Sequence, residues 1–379
     1  MTSVAGAVAY AQYVSSIEAP PPYHFPDVIV HAFVIDVAMG PVQQYADRMF
    51  NLGPQKTRGF AYRTVPTWPY GLLLFIQYPK MICTQLTDMG SAPGYGRRGI
   101  ITQTEAFLAI PLIRYGTTWK APLETTVDWM LPFITVENPM SAACGREVLG
   151  LEKLLADIEI GEWKYPESFE AKIKIPGWKT HSEHEVQDEG LTFAEVKTHP
   201  PMPTPWPGGN PLGSPLGLLQ SRAGTTLVDS LADLSLWAGR LSLGTLPLDM
   251  RTVSLKQFRD AANPAQAIYQ ALVTCRSRYT DVRDFRVFNE NGVSVVFNNF
   301  ASFNPILQLF MNGIDLTIPQ IQVPCRAAYS LRATIDYDDL RTIYTAPLEG
   351  GQIAPVPPGS DLVAAWARPW VGLFKGTRP

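Results

Sequence analysis

The chain has 379 residues, 46% hydrophobic and 17% charged, so it can bury a large core as one big domain or two modest ones. A formal net charge of -3 offers no electrostatic case for nucleic acid or an anionic membrane as partner, and Met1 to Ser16 lacks the basic start and unbroken apolar run of a signal peptide or membrane span. Four cysteines (Cys83, Cys144, Cys275, Cys325) stand far apart with no CxxC pair, which reads as reduced, mostly buried thiols of a cytoplasmic protein and not as a disulfide framework.

In chain order, residues 1–27 read as an arm that ends in prolines and needs a surface to dock on. Val28 to Val37 is the first predicted strand, Pro41 to Phe50 a helix, and Leu72 to Gln77 and Gly99 to Leu112 two further strands rich in β-branched and aromatic residues. Pro139 to Leu149 is predicted as a helix with Asn138 as N-cap and Pro139 at its first position. Phe169 to Ile175 and Leu191 to Val196 follow as strands. Residues 179–217 open with a polar cluster and then carry Pro200, Pro201, Pro203, Pro205, Pro207 and Gly208-Gly209, which reads as an inserted extended loop or lid. Thr226 to Leu241 has Leu227, Leu231, Leu234 and Leu241 near helical spacing, and Asn304 to Met311 is a short helix candidate. Tyr269 to Arg278, Gly292 to Phe297 and Ala327 to Ile335 are the later strands. The tail, residues 347–379, holds Val363, Trp366, Trp370, Val371 and Phe374 and is expected to pack on the core or on a neighbouring subunit. Many strands, few helices and 34 prolines predict an α+β protein with an antiparallel sheet or barrel, its main domain spanning residues 28–346.

One lysine stands out chemically. In Gly145-Arg146-Glu147-Val148-Leu149-Gly150-Leu151-Glu152-Lys153-Leu154-Leu155-Ala156, Lys153 follows a helix end among leucines. Walling the amine with Leu149, Leu151, Leu154 and Leu155 would depress its pKa and leave a nucleophile able to condense with a ketone. The plain alternative is a lysine that rests its stem on the core and keeps its head in water.

These residues also carry a resemblance. Gly145-Arg146-Glu147 followed by Glu152-Lys153 is similar to the lysine segment of the acetoacetate decarboxylase family, in which Gly-Arg-Glu precedes the Schiff-base lysine; Lys153 falls on that lysine. Glu105 with Ile110-Pro111 resembles the family's Glu-x(4)-Ile-Pro segment, whose glutamate faces the catalytic pocket, and Leu255-Lys256-Gln257-Phe258 and Tyr269 to Val273 are similar to later strands. The resemblance runs from about Val28 to Tyr344, with the Pro-rich segment as an insertion. It implies an antiparallel barrel or cone with helices outside, catalysis by Lys153 and Glu105 without a cofactor, and a homo-oligomer. Arg146, Glu147, Phe133, Leu151, Leu154 and Val30 become the candidate substrate-facing residues.

The departures are informative. A second lysine, expected after Lys153, is replaced by Leu154; a proline before it is replaced by Glu152; and the place of an arginine that helps hold the substrate carboxylate reads Val30-His31. If residues 152–154 are extended, Glu152 points away from Lys153. A small keto acid would lose its charge-assisted grip, so the resemblance implies a bulkier β-keto acid or ketone as substrate. The iminium of such a substrate is an electron sink, compatible with decarboxylation and equally with aldol-type or dehydration chemistry of secondary metabolism. A barrel that binds a hydrophobic ligand without turnover is the reading from a different class.

Other constellations carry less. His181-x-x-His184 lies in a strongly polar stretch and reads as a solvated turn, so no metal is expected. Gly94 to Gly99 lacks the strand–loop–helix context of a dinucleotide fingerprint and reads as a hairpin tip on which Arg97 and Arg98 are solvated.

Overall fold

A computed structural model of the chain describes residues 21–65, 68–83, 100–116, 126–161, 169–180, 182–198, 249–288, 293–311 and 317–346. The first strand, β1 (Tyr23–Asp36), is buried on both faces: Val28, Val30 and Ala32 turn to one side, Phe33 and Ile35 to the other. Two-sided burial of this kind belongs to the middle of a sheet. The neighbours of β1 are β3 (Tyr70–Cys83) and β14 (Cys325–Thr345), both antiparallel to it.

The larger sheet continues through β2 (Phe60–Thr64), β4 (Ile101–Gly116), β5 (Thr126–Val136), β6 (Lys153–Leu155), β10 (Asp249–Arg259) and β11 (Ala267–Phe288), in the order β2-β4-β3-β1-β14-β11-β10-β5-β6. Because β4 also pairs with β5, the succession β4-β3-β1-β14-β11-β10-β5 returns to its start. Among the described strands the parallel pairings are those of β5 with β10 and with β6. A smaller antiparallel sheet, β13-β12-β9-β8-β7, is built from β7 (Asp157–Ile160), β8 (Glu170–Gly177), β9 (Asp188–Thr198), β12 (Val293–Asn298) and β13 (Gln320–Val323). Among the described residues helices are few and short: α1 (Met39–Met49), α2 (Gln55–Arg58), α3 (Pro139–Glu147) and α4 (Asn304–Leu307). The architecture is α+β and mostly antiparallel.

Each face of the large sheet has its own apolar cluster. Phe33, Phe75 and Phe133 on one face meet Phe169, Phe193 and Phe297 of the small-sheet side, with Phe133 and Phe193 edge to face at 5.2 Å. The opposite face gathers Val28, Val30, Ala32, Leu74, Ile76, Phe107, Leu149 and Leu151. The long strands β11 and β14 stay in register with curved neighbours by means of bulges. Asp27, Asp281, Asp284 and Asp339 all take left-handed φ near such register shifts, a conformation that aspartate tolerates better than most side chains. Arg283 bridges Asp27 at 2.6 Å and also contacts Asp281, tying the bulge of β1 to that of β11.

Most predicted strands are present with longer bounds. α3 starts as expected, with Asn138 Oδ1 accepting the N–H groups of Met140 (3.0 Å) and Ser141 (3.3 Å). Three expectations change. The arm is shorter than residues 1–27, since β1 begins at Tyr23. The polar cluster at residue 179 does not open an insertion: Glu185 accepts the N–H groups of Lys179 and Thr180 at 2.8 Å each and closes the β8–β9 turn, after which β9 runs to Thr198. Strand β5 was not anticipated because Pro132 interrupts its pattern; the register shifts there, and a bulge is where a strand accepts proline. The rest of the Pro-rich segment, the helix expected over residues 226–241, the glycine turn 94–99 and the tail lie outside the described residues. Among the described residues, no helix is long and apolar enough to cross a membrane.

Candidate active site

The site is assembled where α3 turns into β6. Gly150 ends the helix with φ +67°, its N–H bonded to Arg146 O (3.2 Å) while Leu151 N reaches Gly145 O (3.0 Å). This turn lies flat on β10: a Cβ on Gly150 would fall 2.6 Å from both the backbone N and Cα of Lys256, and Ser254 Oγ donates to Leu149 O. The chain then enters β6, with Lys153 beside Ile134 of β5. That register turns the Lys153 side chain to the face holding Leu149, Leu151 and Val30.

The Lys153 stem crosses helix α3 at a residue with no side chain. A Cβ on Gly145 would meet Lys153 Cδ at 2.5 Å and Cε at 2.6 Å, so glycine is what lets the stem pass. One helical turn earlier, on the same helix face, Ser141 Oγ accepts a hydrogen bond from Lys153 Nζ at 3.1 Å. Nζ also forms an ion pair with Glu105 Oε1 at 2.9 Å, with side-chain exposures of 8% and 6%. Glu105 shares its face of β4 with Phe107 and Ala109. The phenol of Tyr78, one strand over, lies within the influence of its carboxylate.

Two consequences follow from this geometry. The amine and the carboxylate are each other's partner in a buried place, so removing either one leaves the other without its counterpart. Passing one proton from Nζ to Oε1 converts the pair to a neutral amine and a neutral acid, the forms in which one attacks a carbonyl and the other returns a proton.

Aromatic residues wall the site. Phe25 lies 4.7 Å from Tyr78 and 5.9 Å from Tyr337, and Tyr23 lies 5.7 Å from Phe25 and 6.4 Å from Tyr337. Burial, and then the charge of Glu105, pushes the Tyr78 phenol well above its ordinary range. Burial likewise raises Tyr337, Tyr279 and the Cys275 thiol, and pushes Tyr329 up to about 12, so these groups stay protonated and serve as donors. Tyr279, Tyr329 and Tyr337 are half-buried and pack against the cluster on this face.

Of the expected site residues, Lys153, Glu105, Leu151 and Val30 come together on this face. Four do not. Leu154 is 36% exposed because it alternates with Lys153 along β6, and Leu155 is exposed as well, so the amine is walled by Leu149 and Leu151 from the turn instead. Phe133 belongs to the other face, packed on Phe193. Arg146 is exposed and reaches back to Lys153 O at 3.4 Å, which steadies the strand and leaves no side chain for substrate. Glu147 is half-buried beside Lys256, whose amine burial lowers and Glu147 partly restores. Glu152 points outward, as extended backbone requires. Ser141 and Tyr78 were not anticipated; the i, i+4 spacing of Ser141 and Gly145 was a readable signal, whereas the β3–β4 register that brings Tyr78 to Glu105 was not. His184 is exposed beside Glu183 at 3.5 Å, and His181, Arg97 and Arg98 lie outside the described residues.

No family model and no curated protein matches the chain. Among solved structures, acetoacetate decarboxylase from Legionella pneumophila subsp. pneumophila str. Philadelphia 1 is similar with a TM-score of 0.50 and 11% identity, over 90% of this chain and 94% of that one. The enduracididine biosynthesis enzyme MppR, in complex with the condensation product of pyruvate and imidazole 4-carboxaldehyde, gives a TM-score of 0.48 and 12% identity, over 89% of this chain and 98% of that one. The first of these likenesses establishes a shared fold.

Proposed function

We propose that the chain is a Schiff-base-forming lyase acting on a bulky ketone or β-keto acid, with Lys153 as nucleophile, Glu105 as proton carrier and decarboxylation as the reaction. The observation that carries this reading is the buried contact of Lys153 Nζ with Glu105 Oε1 at 2.9 Å inside an aromatic and apolar wall. The fold shared with an acetoacetate decarboxylase supports it at the level of the scaffold. In this reading the Nζ lone pair attacks the substrate carbonyl carbon and the carbinolamine loses water to an iminium. The bond to the carboxylate then breaks, its electron pair passing into the iminium as carbon dioxide leaves. The enamine takes a proton at carbon from Glu105, and hydrolysis frees the amine.

A second reading, aldol-type or dehydration chemistry through the same enamine, is favoured by the charge of the site. Among the described residues named on this face, Lys153 is the only cation, so a substrate carboxylate has no separate partner there. An uncharged ketone needs none. On either reading the protein acts in the cytoplasm, as a homo-oligomer, without a cofactor.

The test is reductive trapping: borohydride added with a panel of β-keto acids and neutral ketones, read by intact mass and by the modified peptide, on wild type and Lys153→Arg. A mass gain on Lys153 that Lys153→Arg abolishes is expected, and carbon dioxide release separates decarboxylation from the second reading. Trapping with no ketone at all would leave a binding protein without turnover.

A further inference from the structure

Gln103 lies on β4 two residues before Glu105, on the same face, opposite Tyr78 across the β3–β4 pairing. It is 7% exposed, and among the described residues no group donates to its Oε1. A buried amide oxygen left without a donor destabilises the folded protein. Its surroundings make the cost conspicuous: the site face nearby is built of Tyr78, Phe25 and Ile101, where leucine or methionine would fit without that penalty. A polar group kept in such a place, beside the reactive pair, is a recognition group awaiting its donor.

We infer that Gln103 is a substrate-recognition residue that accepts a hydrogen bond from a hydroxyl or N–H of the molecule held at Lys153. The inference rests on the reading of this face as the substrate site and narrows the substrate to carbonyl compounds that carry a hydrogen-bond donor. Glutamine and glutamate reach equally far from the backbone, and two residues on one strand face are about 6.6 Å apart. With the carbonyl carbon at Nζ and Glu105, the donor falls roughly four or five bonds from that carbon.

The test uses a matched pair of probes, 6-hydroxyhexan-2-one and heptan-2-one, which differ by a hydroxyl in place of a methyl. Dissociation constants come from ligand-observed NMR titration of wild type and Gln103→Met, and stability from thermal denaturation of both without ligand. Gln103→Met is expected to melt no lower than wild type, and to shift the ratio of the two constants about threefold to tenfold toward heptan-2-one. An unchanged ratio, or failure of wild type to bind either ketone, overturns the inference. So does a lower melting temperature in Gln103→Met, or failure of both Gln103→Met and Gln103→Leu to fold, since the amide would then have a structural partner. Borohydride trapping of the same ketones separates the two readings. A shifted ratio with nothing trapped on Lys153 keeps Gln103 and removes the Schiff base; trapping with an unmoved ratio does the reverse.

Discussion

Replacing Gly145 by alanine tests how the reactive lysine is positioned. An added Cβ would sit 2.5 Å from Lys153 Cδ and 2.6 Å from Cε, whereas carbon atoms pack at about 3.5–4.0 Å, so the stem must move by about 1 Å or more. It cannot do so and keep Nζ at 2.9 Å from Glu105 and 3.1 Å from Ser141. The helix itself gains, since alanine is better than glycine there by about 0.5–1 kcal/mol, while overpacking costs about 1–3 kcal/mol. A net loss of about 0–2.5 kcal/mol, centred at about 1 kcal/mol, is expected, with the fold intact. Misplacement of the amine by about 1 Å should slow ketone trapping on Lys153 by about 10²-fold. Thermal denaturation reads the first effect and the rate of mass gain under borohydride the second. Ala143→Gly, at an exposed position of the same helix, is the control: it should cost about 1 kcal/mol and leave trapping untouched. If Gly145→Ala melts and traps like wild type, the stem does not lie against the helix and the reasoning fails.

The ion pair can be tested without any substrate. Lys153→Met leaves Glu105 buried and alone and should cost about 3–5 kcal/mol in urea denaturation, whereas Lys153→Met with Glu105→Gln should recover most of it; a neutral single variant would mean the pair is not buried. Asp128, fully buried, accepts from Arg251 (2.7 Å), Arg114 (3.1 Å) and Tyr62 (2.8 Å), so Asp128→Asn should cost about 3–5 kcal/mol, and a loss under 1 kcal/mol would refute its role as a tie between strands. His31, against Phe169 at 4.6 Å, has its pKa lowered by burial to about 4 from 6.5. The folded state therefore binds fewer protons than the unfolded one between those values: the stability is whole above pH 6.5 and falls by about 3 kcal/mol as pH drops to 4. Denaturation across that range should show this loss in wild type but not in His31→Phe; equal slopes would sink the assignment.

How far the site was legible depended on whether local or long-range geometry set each residue. Lys153 was legible because a charged residue in an apolar run is costly to bury and so marks chemistry or pairing, whereas Glu105 was singled out by the family resemblance and not by its neighbours; the structure pairs them. The start of α3 was legible because an N-cap is local. Phe133 was misplaced for a reason that lies in β5. Strict alternation would put Met130 and Phe133 on opposite faces, yet both lie on the small-sheet side while Leu131 and Ile134 lie on the other. The bulge at Pro132 reverses the phase of the strand between them, and nothing in residue types says on which residue the extra step falls. Leu154 failed more simply, since apolar character was read as facing the lysine although the next residue in a strand faces away.

The same distinction explains what makes the pair unusual. Its two members come from strands that do not pair with each other: β4 pairs with β5, and β5 with β6, so Glu105 and Lys153 meet across an intervening strand. Side chains two strands apart lie about 9.5 Å from each other at the backbone, near the reach of an extended lysine and glutamate together. The contact at 2.9 Å therefore requires the Lys153 stem to run fully out along the face, over the gap at Gly145. A shorter side chain at residue 153 would not arrive, and a branched one would not pass the helix. Length without branching is what this position demands of its residue, and lysine meets that demand while also supplying an amine.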